Sequence, residues 1–333
     1  MYQKRDYAAN YFLKTEKIIK QFNPNAIVTL QFFQRYDDTL LGGINEVLAL
    51  LQTETDTTKY SIKYLPEGSI INSCEVVLEL EGHYQHFGVF EGMIDGILAR
   101  ATSIATNAYH CLKAAKQKTV IFMGDRSDHY INQERDGLAV ELAGIKMHST
   151  NAGAQGNDQI VFGSIPHILI QNFEGDLLTV MQHYHQLFPE DQDLIALVDF
   201  NNDVISDSLK VLNYFGTKLK GVRVDTSKTI QDKMFNQNDH EYGVTPNQIK
   251  KLRQALDANN GKHVKIIVSS GFNPEKIAYF EQQQTPVDAY GVGEYIMQIR
   301  NYFSADATKI NGKELAKVGR KYQFNPKLQK FQK

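Results

Sequence analysis

The chain has 333 residues, and 36 lysine and arginine residues against 38 aspartate and glutamate residues give a formal net charge of −2. This balance excludes the broadly basic surface of a typical nucleic-acid-binding domain, and a hydrophobic content of 42% excludes an intrinsically disordered protein. Two cysteines, Cys74 and Cys111, provide no disulfide framework, and no apolar run reaches the roughly 20 residues of a membrane helix. Since residues 1–12 carry no secretory signal, we expect a cytoplasmic protein of about two domains.

The first third of the chain mixes strand and helix patterns. Residues 26–34 and 75–80 are rich in β-branched and aromatic side chains, which predicts two strands. Residues 42–52 place apolar side chains at helical spacing after a glycine pair, and residues 90–117 continue such spacing for longer. We therefore expect a mixed α/β domain here, with the long helical stretch as the hinge to a second domain.

Regular alternation of strands and helices begins near residue 119. Short apolar strands separated by helices are typical of parallel βα units whose sheet is covered on both faces. Seven strands are one short of an eightfold barrel; an open doubly wound sheet is the alternative, and we favour the barrel. Beyond them, residues 302–324 predict a hairpin and tail that pack back on the first domain. The predicted strands are 119–123, 145–149, 159–163, 194–200, 221–226, 264–270 and 287–292.

The residues that follow each strand of this barrel form a candidate active site. All βα loops of an α/β barrel open on one face, where such enzymes gather their catalytic groups. A polar set with two carboxylates, two histidines and two glycine-containing loops occupies these positions. Its members are Arg126, His129, Ser149, Thr150, Asn151, Ser164, His167, Asp199, Asp225, Ser269, Ser270, Gly271, Gly291 and Gly293.

The glycine loops after the last two strands indicate the substrate chemistry. Backbone N–H groups in such loops, together with helix N-termini, bind phosphate. Asp199 and Asp225 are suitable ligands for Mg²⁺, and Arg126 would clamp a phosphate with its planar guanidinium. Residues 291–296 lack the third glycine of a dinucleotide fingerprint, so NAD binding is not expected. The pattern favours a phosphorylated sugar with a magnesium-bound leaving group.

Ten short motifs in collinear order resemble the nicotinate phosphoribosyltransferases, which are type II phosphoribosyltransferases. The resemblance covers most of the chain and is strongest to the shorter archaeal and bacterial branch. Among the motifs are YFLKT in the first and GSIPH in the fifth. The motifs lie at 6–15, 81–108, 124–130, 148–154, 163–170, 197–203, 221–226, 268–277, 288–296 and 311–320.

The resemblance implies an N-terminal α/β sandwich and an incomplete, irregular α/β barrel. The implied domains are residues 1–112, the sandwich with a substrate-contacting N-terminal segment, and residues 113–300, the catalytic barrel. Residues 301–333 would then return to the sandwich. The resemblance also implies a homodimer whose two active sites each borrow residues from the partner subunit.

The implied reaction joins nicotinate to 5-phosphoribosyl-1-pyrophosphate and releases nicotinate mononucleotide and pyrophosphate, a step of NAD salvage. Magnesium is the implied cofactor and ATP the implied co-substrate. In many members of the family, ATP hydrolysis through a phosphohistidine drives the reaction. His167 matches that catalytic histidine.

The remaining roles follow from the motif matches. Tyr11 and Phe12 match an aromatic pair near the pyridine ring, while Arg126 and Arg223 are the candidates for the nicotinate carboxylate. Asp199 and Asp225 match catalytic acids near ribose and metal. Expected substrate contacts also include His129, Ser149, Thr150, Asn151 and Ser164, and the expected 5-phosphate ligands are Ser269, Ser270, Gly271, Gly291 and Gly293.

Four positions depart from the family pattern, namely Ser127, Tyr130, Phe272 and Glu294. A carboxylate such as Glu294 beside a phosphate loop is unfavourable unless it points away or is paired. These departures leave the fold assignment intact and leave three alternatives to the nicotinate reaction. The alternatives are a quinolinate phosphoribosyltransferase, a nicotinamide phosphoribosyltransferase and a non-catalytic phosphate-binding paralogue.

Overall fold

The computed structural model describes residues 2–191 and 194–332, and the chain divides into two compact units. The N-terminal unit comprises Met1–Thr106 and Gln298–Lys333, and the barrel unit comprises Asn107–Met297. Met1 and Lys333, where the predicted domain ranges begin and end, lie outside the described residues. Within the described part of the chain, no helix combines the length and apolarity needed to cross a membrane.

Strands of both units are numbered in chain order. The first five are β1 (Ile27–Phe33), β2 (Thr39–Leu40), β3 (Tyr60–Tyr64), β4 (Ile70–Ile71) and β5 (Leu78–His83). The next seven are β6 (Thr119–Phe122), β7 (Met147–His148), β8 (Ile160–Val161), β9 (Ile195–Leu197), β10 (Gly221–Val224), β11 (Lys265–Val268) and β12 (Ala289–Val292). The last three are β13 (Ser304–Ile310), β14 (Lys313–Glu314) and β15 (Gln329–Lys330).

The α-helices are numbered in the same way. They are α1 (Asn10–Phe22), α2 (Ile44–Glu54), α3 (Glu91–Ala115), α4 (Gln133–Leu142), α5 (His167–Asn172), α6 (Leu177–Leu187), α7 (Val204–Phe215), α8 (Pro246–Ala258) and α9 (Pro274–Gln282). Short 3₁₀ helices occur at Lys4–Tyr7, Thr57–Lys59, Tyr84–His86, Gly88–Phe90, Tyr130–Asn132, Gly216–Lys218 and Gln237–Asp239.

An antiparallel sheet with the strand order β14-β13-β1-β5-β3-β15 forms the N-terminal unit. Side chains of α1, α2 and α3, including Phe12, Leu51 and Ile94, pack with those of the sheet in one hydrophobic core. β13 pairs with β1, so strands that are far apart in the sequence are neighbours in this sheet. The strand predicted at 26–34 and the helix predicted at 42–52 are confirmed as β1 and α2.

Part of this unit differs from the sequence expectation. The segment with Tyr11 and Phe12 has no obvious core periodicity in the sequence, yet it forms α1, and Phe12 is only 8% exposed. β3 was not predicted, and the strand predicted at 75–80 begins later, at Leu78. Both differences arise because pairing with neighbouring strands decides which residues extend, and this is not visible in local composition.

The barrel unit contains a seven-stranded parallel sheet with the order β8-β7-β6-β12-β11-β10-β9. Each strand lies within one of the seven predicted segments. Among the described strands, β8 and β9 are at opposite ends of the sheet and are not paired with each other. The sheet curls without closing, which confirms the predicted fold class of an α/β sandwich with an incomplete α/β barrel.

Two glycines of the last barrel strand and its loop allow close packing against β6. A Cβ atom at Gly293 would lie closer than 3.0 Å to the backbone carbonyl oxygen of Met123, and one at Gly291 would meet the Met123 sulfur. From the sequence alone, both glycines are expected only to bind phosphate. The structure adds a packing requirement that holds whether or not a ligand is bound.

We expect Gly293→Ala to lower the free energy of unfolding by about 1–3 kcal/mol, the usual cost of overpacking. The matched control is Gly96→Ala, because Gly96 lies on α3 with no neighbouring atom within 4 Å of an added Cβ. A helical glycine replaced by alanine should instead raise stability by about 0.5–1 kcal/mol. Urea unfolding monitored by circular dichroism measures both, and equal stability of the two variants would contradict the packing requirement.

Candidate active site at the barrel mouth

The register of the parallel sheet determines which side chains face the barrel interior. Arg223 is aligned with Leu197 on β9 and with Ile267 on β11, and side chains alternate between the two faces of a strand. The interior carries one small hydrophobic cluster, built from Ile121, Phe162, Ile195, Ile267 and Ala289 with Met123 and Met147. On β10 the corresponding interior side chain is the charged Arg223.

Two residues beyond this layer, the same alternation brings polar side chains to the carboxyl edge of the sheet, which we call the barrel mouth. Because strand direction is shared, these positions meet at one edge. The polar residues at these positions are Ser149, Ser164, Asp199, Asp225 and Ser269. All five are among the predicted site residues.

A histidine–carboxylate pair lies at the barrel mouth. Nε2 of His167 is 3.2 Å from Oδ2 of Asp199, whose side chain is 7% exposed, whereas the histidine side chain is 43% exposed. The sequence predicts that His167 directly follows a strand, whereas in the structure it is the first residue of α5, behind Pro166. The ring therefore reaches the site from a helix N-terminus.

The pKa of His167 is raised above its ordinary value of 6.5. The hydrogen bond to Asp199 is the largest cause, and the negative charge of Asp225 acts in the same direction. Burial and the positive charge of Arg223 oppose the shift. The two carboxylates thus stabilise the protonated ring.

The second carboxylate, Asp225, accepts a hydrogen bond of 2.6 Å from the Ser269 hydroxyl. Farther along the mouth, the Ser149 hydroxyl donates to Asp125 over 2.8 Å. These two contacts join neighbouring strand ends, since they connect β10 with β11 and β6 with β7. They hold Asp225 and Ser149 in fixed orientations.

Arg223 brings positive charge to the same edge. Burial lowers the pKa of its guanidinium, and the charges of Asp225 and Asp199 oppose this effect. Nη2 of Arg223 lies 3.4 Å from the carbonyl oxygen of Ile165. The like charge of Arg126, which is exposed on the loop after β6, is a smaller cause that lowers the pKa of Arg223 further.

Three buried polar atoms of the predicted site have no hydrogen-bond partner among the described residues. They are Oγ of Ser164, Oδ1 of Asp199 and Nε of Arg223. Buried polar atoms are nearly always paired, and leaving one unpaired costs about 1–3 kcal/mol. A bound polar ligand at the barrel mouth would supply the missing partners.

The loops after β11 and β12 present backbone donors. Ser270 and Gly271 both adopt the left-handed region, with φ values of 80° and 67°. Among the described residues, none accepts a hydrogen bond from the backbone N–H of Ser270, Gly271 or Gly293. α9 begins three residues beyond Gly271, and Asn273 caps it by accepting from the N–H of Lys276. Such a loop at a helix N-terminus fits an anion.

Lys276 lies at the candidate site but is not among the residues predicted from the sequence. Burial lowers its pKa to about 8, with the charge of Asp225 opposing. Its Nζ donates to the carbonyl oxygen of Ser270 over 3.1 Å and lies 4.3 Å from the centre of the Phe272 ring. A lysine on a helix usually reaches solvent, so no local pattern marks this one. The one sequence feature that indicates the contact is the spacing of four residues between Phe272 and Lys276.

Other predicted residues occupy different positions. The Thr150 hydroxyl accepts from the N–H of Gly153, and the His129 ring accepts from the N–H of Ile131, so both stabilise their own loops. Asn151 is exposed on the same loop as Thr150. Tyr11 and Phe12 belong to the N-terminal unit, where Tyr11 is 64% exposed.

The donor set at the barrel mouth bears on the expected magnesium ion. Within residues 2–191 and 194–332, no group of three or more His, Cys, Asp or Glu residues could hold a metal ion. Mg²⁺ commonly binds through one or two carboxylates together with substrate phosphates. Asp225 and the unpaired Oδ1 of Asp199 fit that second mode.

A separate cavity of about 440 Å³ lies within the N-terminal unit. Its walls include Arg35, Arg320 and Lys321 as well as Asp306. Nε of Arg320 is 2.7 Å from Oδ2 of Asp306. None of the predicted site residues lines this cavity.

Comparisons with known proteins agree with this fold. Residues 10–102 match the family model described as the N-terminal domain of quinolinate phosphoribosyl transferase. A crystal structure of a nicotinate-nucleotide pyrophosphorylase from Pyrococcus furiosus superposes with a TM-score of 0.84 and 30% identity, over 96% of this chain and 80% of that chain. The chain therefore belongs to the type II phosphoribosyltransferase family, which also contains the nicotinate phosphoribosyltransferases that it resembles in sequence.

More distant relatives share the same fold. The structure of human nicotinic acid phosphoribosyltransferase has a TM-score of 0.69 at 16% identity, over 92% of this chain and 76% of that chain. A curated nicotinate phosphoribosyltransferase of Mycobacterium tuberculosis is 22% identical over 275 residues. The aligned region covers 78% of this chain, and the chain spans about half (55%) of the length of that relative.

We expect Asp199→Asn to lower the titration midpoint of His167, because it removes the carboxylate that stabilises the protonated ring. Histidine-ring NMR in magnesium-free buffer measures the midpoint, and resonances of histidines outside the site should keep their positions. A histidine with a raised pKa contributes stability fully below 6.5 and loses that contribution as the pH rises through its folded-state value. The stability difference between wild type and variant should therefore be larger at low than at high pH. An unchanged midpoint would contradict the coupling.

Proposed function

We propose that this protein is a nicotinate phosphoribosyltransferase, which joins nicotinate to 5-phosphoribosyl-1-pyrophosphate and releases nicotinate mononucleotide and pyrophosphate in NAD salvage. The barrel mouth carries this proposal, because it combines unpaired loop N–H groups, two carboxylates and a His167–Asp199 pair along one edge. Membership of the type II phosphoribosyltransferases supports the reaction class. The YFLKT and GSIPH motifs favour nicotinate as the acceptor.

The charges suggest how phosphoribosyl pyrophosphate would lie. The 5-phosphate would accept hydrogen bonds from the N–H groups of Ser270, Gly271 and Gly293, at the N-terminus of α9. The pyrophosphate would lie toward Arg126, an exposed guanidinium at the opposite side of β12 from β11. The ribose would then occupy the space beside Asp199 and Asp225.

The reaction breaks the bond between ribose C1 and the pyrophosphate oxygen, which leaves with the electron pair, and forms a bond from the pyridine nitrogen to C1. Positive charge develops at C1 before the new bond is complete. Carboxylates at fixed positions, such as Asp225 held by Ser269, would stabilise this charge without reorganising. Mg²⁺ held by Asp199 and Asp225 would neutralise the leaving pyrophosphate.

ATP coupling would use His167 as a nucleophile. Because Nε2 faces Asp199, the other ring nitrogen, Nδ1, is the one available for phosphoryl transfer. Its lone pair would bond to the γ-phosphorus of ATP, and ADP would leave with the electrons of the broken phosphorus–oxygen bond. Because the pKa of His167 is raised, the protonated ring must first lose the proton on Nδ1 to solvent, while Asp199 accepts a hydrogen bond from Nε2–H and so holds the tautomer with its lone pair on Nδ1.

A homodimer with shared active sites completes the proposal. Tyr11 is the residue of the expected aromatic pair that is available to a partner, since it is 64% exposed while Phe12 is 8% exposed in the core of its own unit. A Tyr11 side chain from the partner subunit would stack on the pyridine ring of nicotinate.

Quinolinate is the second candidate acceptor. The family model that matches residues 10–102 is named for quinolinate phosphoribosyl transferase. Quinolinate carries two carboxylates, and its reaction also releases carbon dioxide. Besides Arg126, the barrel mouth offers the cations Arg223 and Lys276, a small set for two carboxylates.

A single assay separates these candidates. The purified protein is incubated with phosphoribosyl pyrophosphate, Mg²⁺ and either nicotinate, nicotinamide or quinolinate, with and without ATP, and the nucleotides are resolved by chromatography. We expect nicotinate mononucleotide, formed faster with ATP. Carbon dioxide release from quinolinate would overturn the nicotinate assignment, and no product with any acceptor would indicate a non-catalytic phosphate-binding protein.

His167→Ala is expected to abolish ATP hydrolysis and the stimulation by ATP, while uncoupled synthesis falls less. Incubation with γ-labelled ATP should place acid-labile, base-stable phosphate on the wild type and none on the variant. His183→Ala is the matched control, because His183 is exposed on α6 and should retain full labelling. Absence of label during turnover would assign His167 a role in positioning substrate, with about a 10²–10³-fold effect on synthesis.

Mixing two inactive variants tests the shared sites. Tyr11→Ala and Asp225→Asn chains, unfolded and refolded together, should recover about a quarter of wild-type activity, since half of the dimers are hybrids with one intact site. The control mixture of Asp199→Asn with Asp225→Asn should recover none, because both residues belong to the barrel unit. Sedimentation of a fully active monomer would refute the dimer.

A further inference from the structure

Lys276 and the residue that it contacts, Ser270, each have a feature that costs folding free energy. An ammonium group loses hydration energy on burial, and the lowered pKa of this lysine reflects that cost. Ser270, the residue that Lys276 contacts, adopts a left-handed backbone with a φ of 80°, which is strained for a residue other than glycine. Among the described residues, the Ser270 carbonyl oxygen is the one hydrogen-bond acceptor of Nζ.

The ammonium group rests on a rigid aromatic platform. Phe272 is 3% exposed; its ring packs edge-on against Phe280 at 5.0 Å and in a tilted arrangement against Tyr290 at 5.4 Å between ring centres. Nζ of Lys276 lies 4.3 Å from the centre of the Phe272 ring, within range of a cation–π interaction. Phe272, one of the departures from the family pattern, thereby fixes the position of the lysine.

Peptide geometry connects this lysine to the phosphate loop. In a trans peptide the carbonyl oxygen and the following N–H point in opposite directions. Lys276 holds the carbonyl oxygen of Ser270, so the N–H of Gly271 points away from the ammonium group. Rotation of this peptide would turn that donor away and break the contact with Lys276.

We propose that Lys276 is a positioning residue for the ribose 5-phosphate, acting through the Ser270 carbonyl to aim the Gly271 N–H at that group. This inference rests on the proposed phosphoribosyl transfer, and it adds a residue outside the glycine loops to the recognition of one end of the substrate. The pyrophosphate end and the pyridine ring do not depend on it.

A lysine with a purely structural role would give a different result on replacement. Methionine has a similar length, fills the same apolar space and avoids the desolvation of a charge. We therefore expect Lys276→Met to unfold at the same temperature as the wild type, or at a higher one. In this variant the N–H of Gly271 is no longer held in the direction of the 5-phosphate. Lys276→Arg retains a donor for the Ser270 carbonyl and should rescue part of the lost binding.

The experiment measures binding by isothermal titration calorimetry with three probes, namely phosphoribosyl pyrophosphate, ribose 5-phosphate and magnesium pyrophosphate. The variants are Lys276→Met, Lys276→Arg and Lys251→Met. Lys251 is the matched control. It lies on a different helix, α8, and its Nζ is 4.5 Å from the centre of the Phe235 ring. Binding does not require turnover, so the result is independent of which acceptor the protein uses.

Lys276→Met should weaken the binding of phosphoribosyl pyrophosphate and of ribose 5-phosphate about 10-fold or more, which corresponds to the loss of a hydrogen bond to a charged group. Magnesium pyrophosphate binding should stay unchanged in every variant, and Lys251→Met should bind all three probes like the wild type. The role of Lys276 would be overturned if wild type and Lys276→Met bound ribose 5-phosphate equally well. It would also be overturned if Lys276→Met lost as much affinity for magnesium pyrophosphate as for ribose 5-phosphate. Neither outcome would contradict the proposed function. Failure of the wild type to bind phosphoribosyl pyrophosphate would overturn the proposed function itself.

Discussion

The shared direction of the strands in the barrel sheet is the constraint on which the candidate site depends. Parallel strands end at one edge, and the two-residue alternation of side chains brings every second residue to the interior. Asp199 and Asp225 lie far apart in sequence, yet each stands two residues beyond an interior position of its strand, at Leu197 and Arg223. A single inserted residue in either strand would turn its carboxylate to the opposite face.

That constraint also explains how much was predictable from the sequence. Strand ends are visible as breaks in apolar runs, so the barrel, the two carboxylates and the His167 loop could be predicted. The contact between Lys276 and Ser270 could not, because it forms only when α9 packs back on the sheet. The helix around Phe12 was missed for a related reason, since the core that buries its ring is built from distant elements.

The energetic cost of the site is concentrated in a few groups. Ser164 and Asp199 keep buried oxygen atoms without partners among the described residues, and Ser270 holds a strained backbone. Buried apolar strands oppose these costs, for Val222, Val224, Ile266 and Val268 are fully buried on the outer face of the barrel sheet. Such burial contributes about 1.5–3 kcal/mol for each large aliphatic side chain. The scaffold can therefore keep a set of unsatisfied groups ready for a ligand.

The pairing of β13 with β1 has a consequence for synthesis of the chain. Thr308 and Gln31, which are hydrogen-bonded across this pair, are separated by 277 positions in sequence. At roughly 5–20 residues per second, a ribosome takes tens of seconds to produce that interval. During this time β1 has an open hydrogen-bonding edge, and its apolar side chains lack their final neighbour. Among the described strands, those of the barrel have all their partners between residues 119 and 292, so we expect the barrel sheet of the nascent protein to be complete before the sheet of the N-terminal unit.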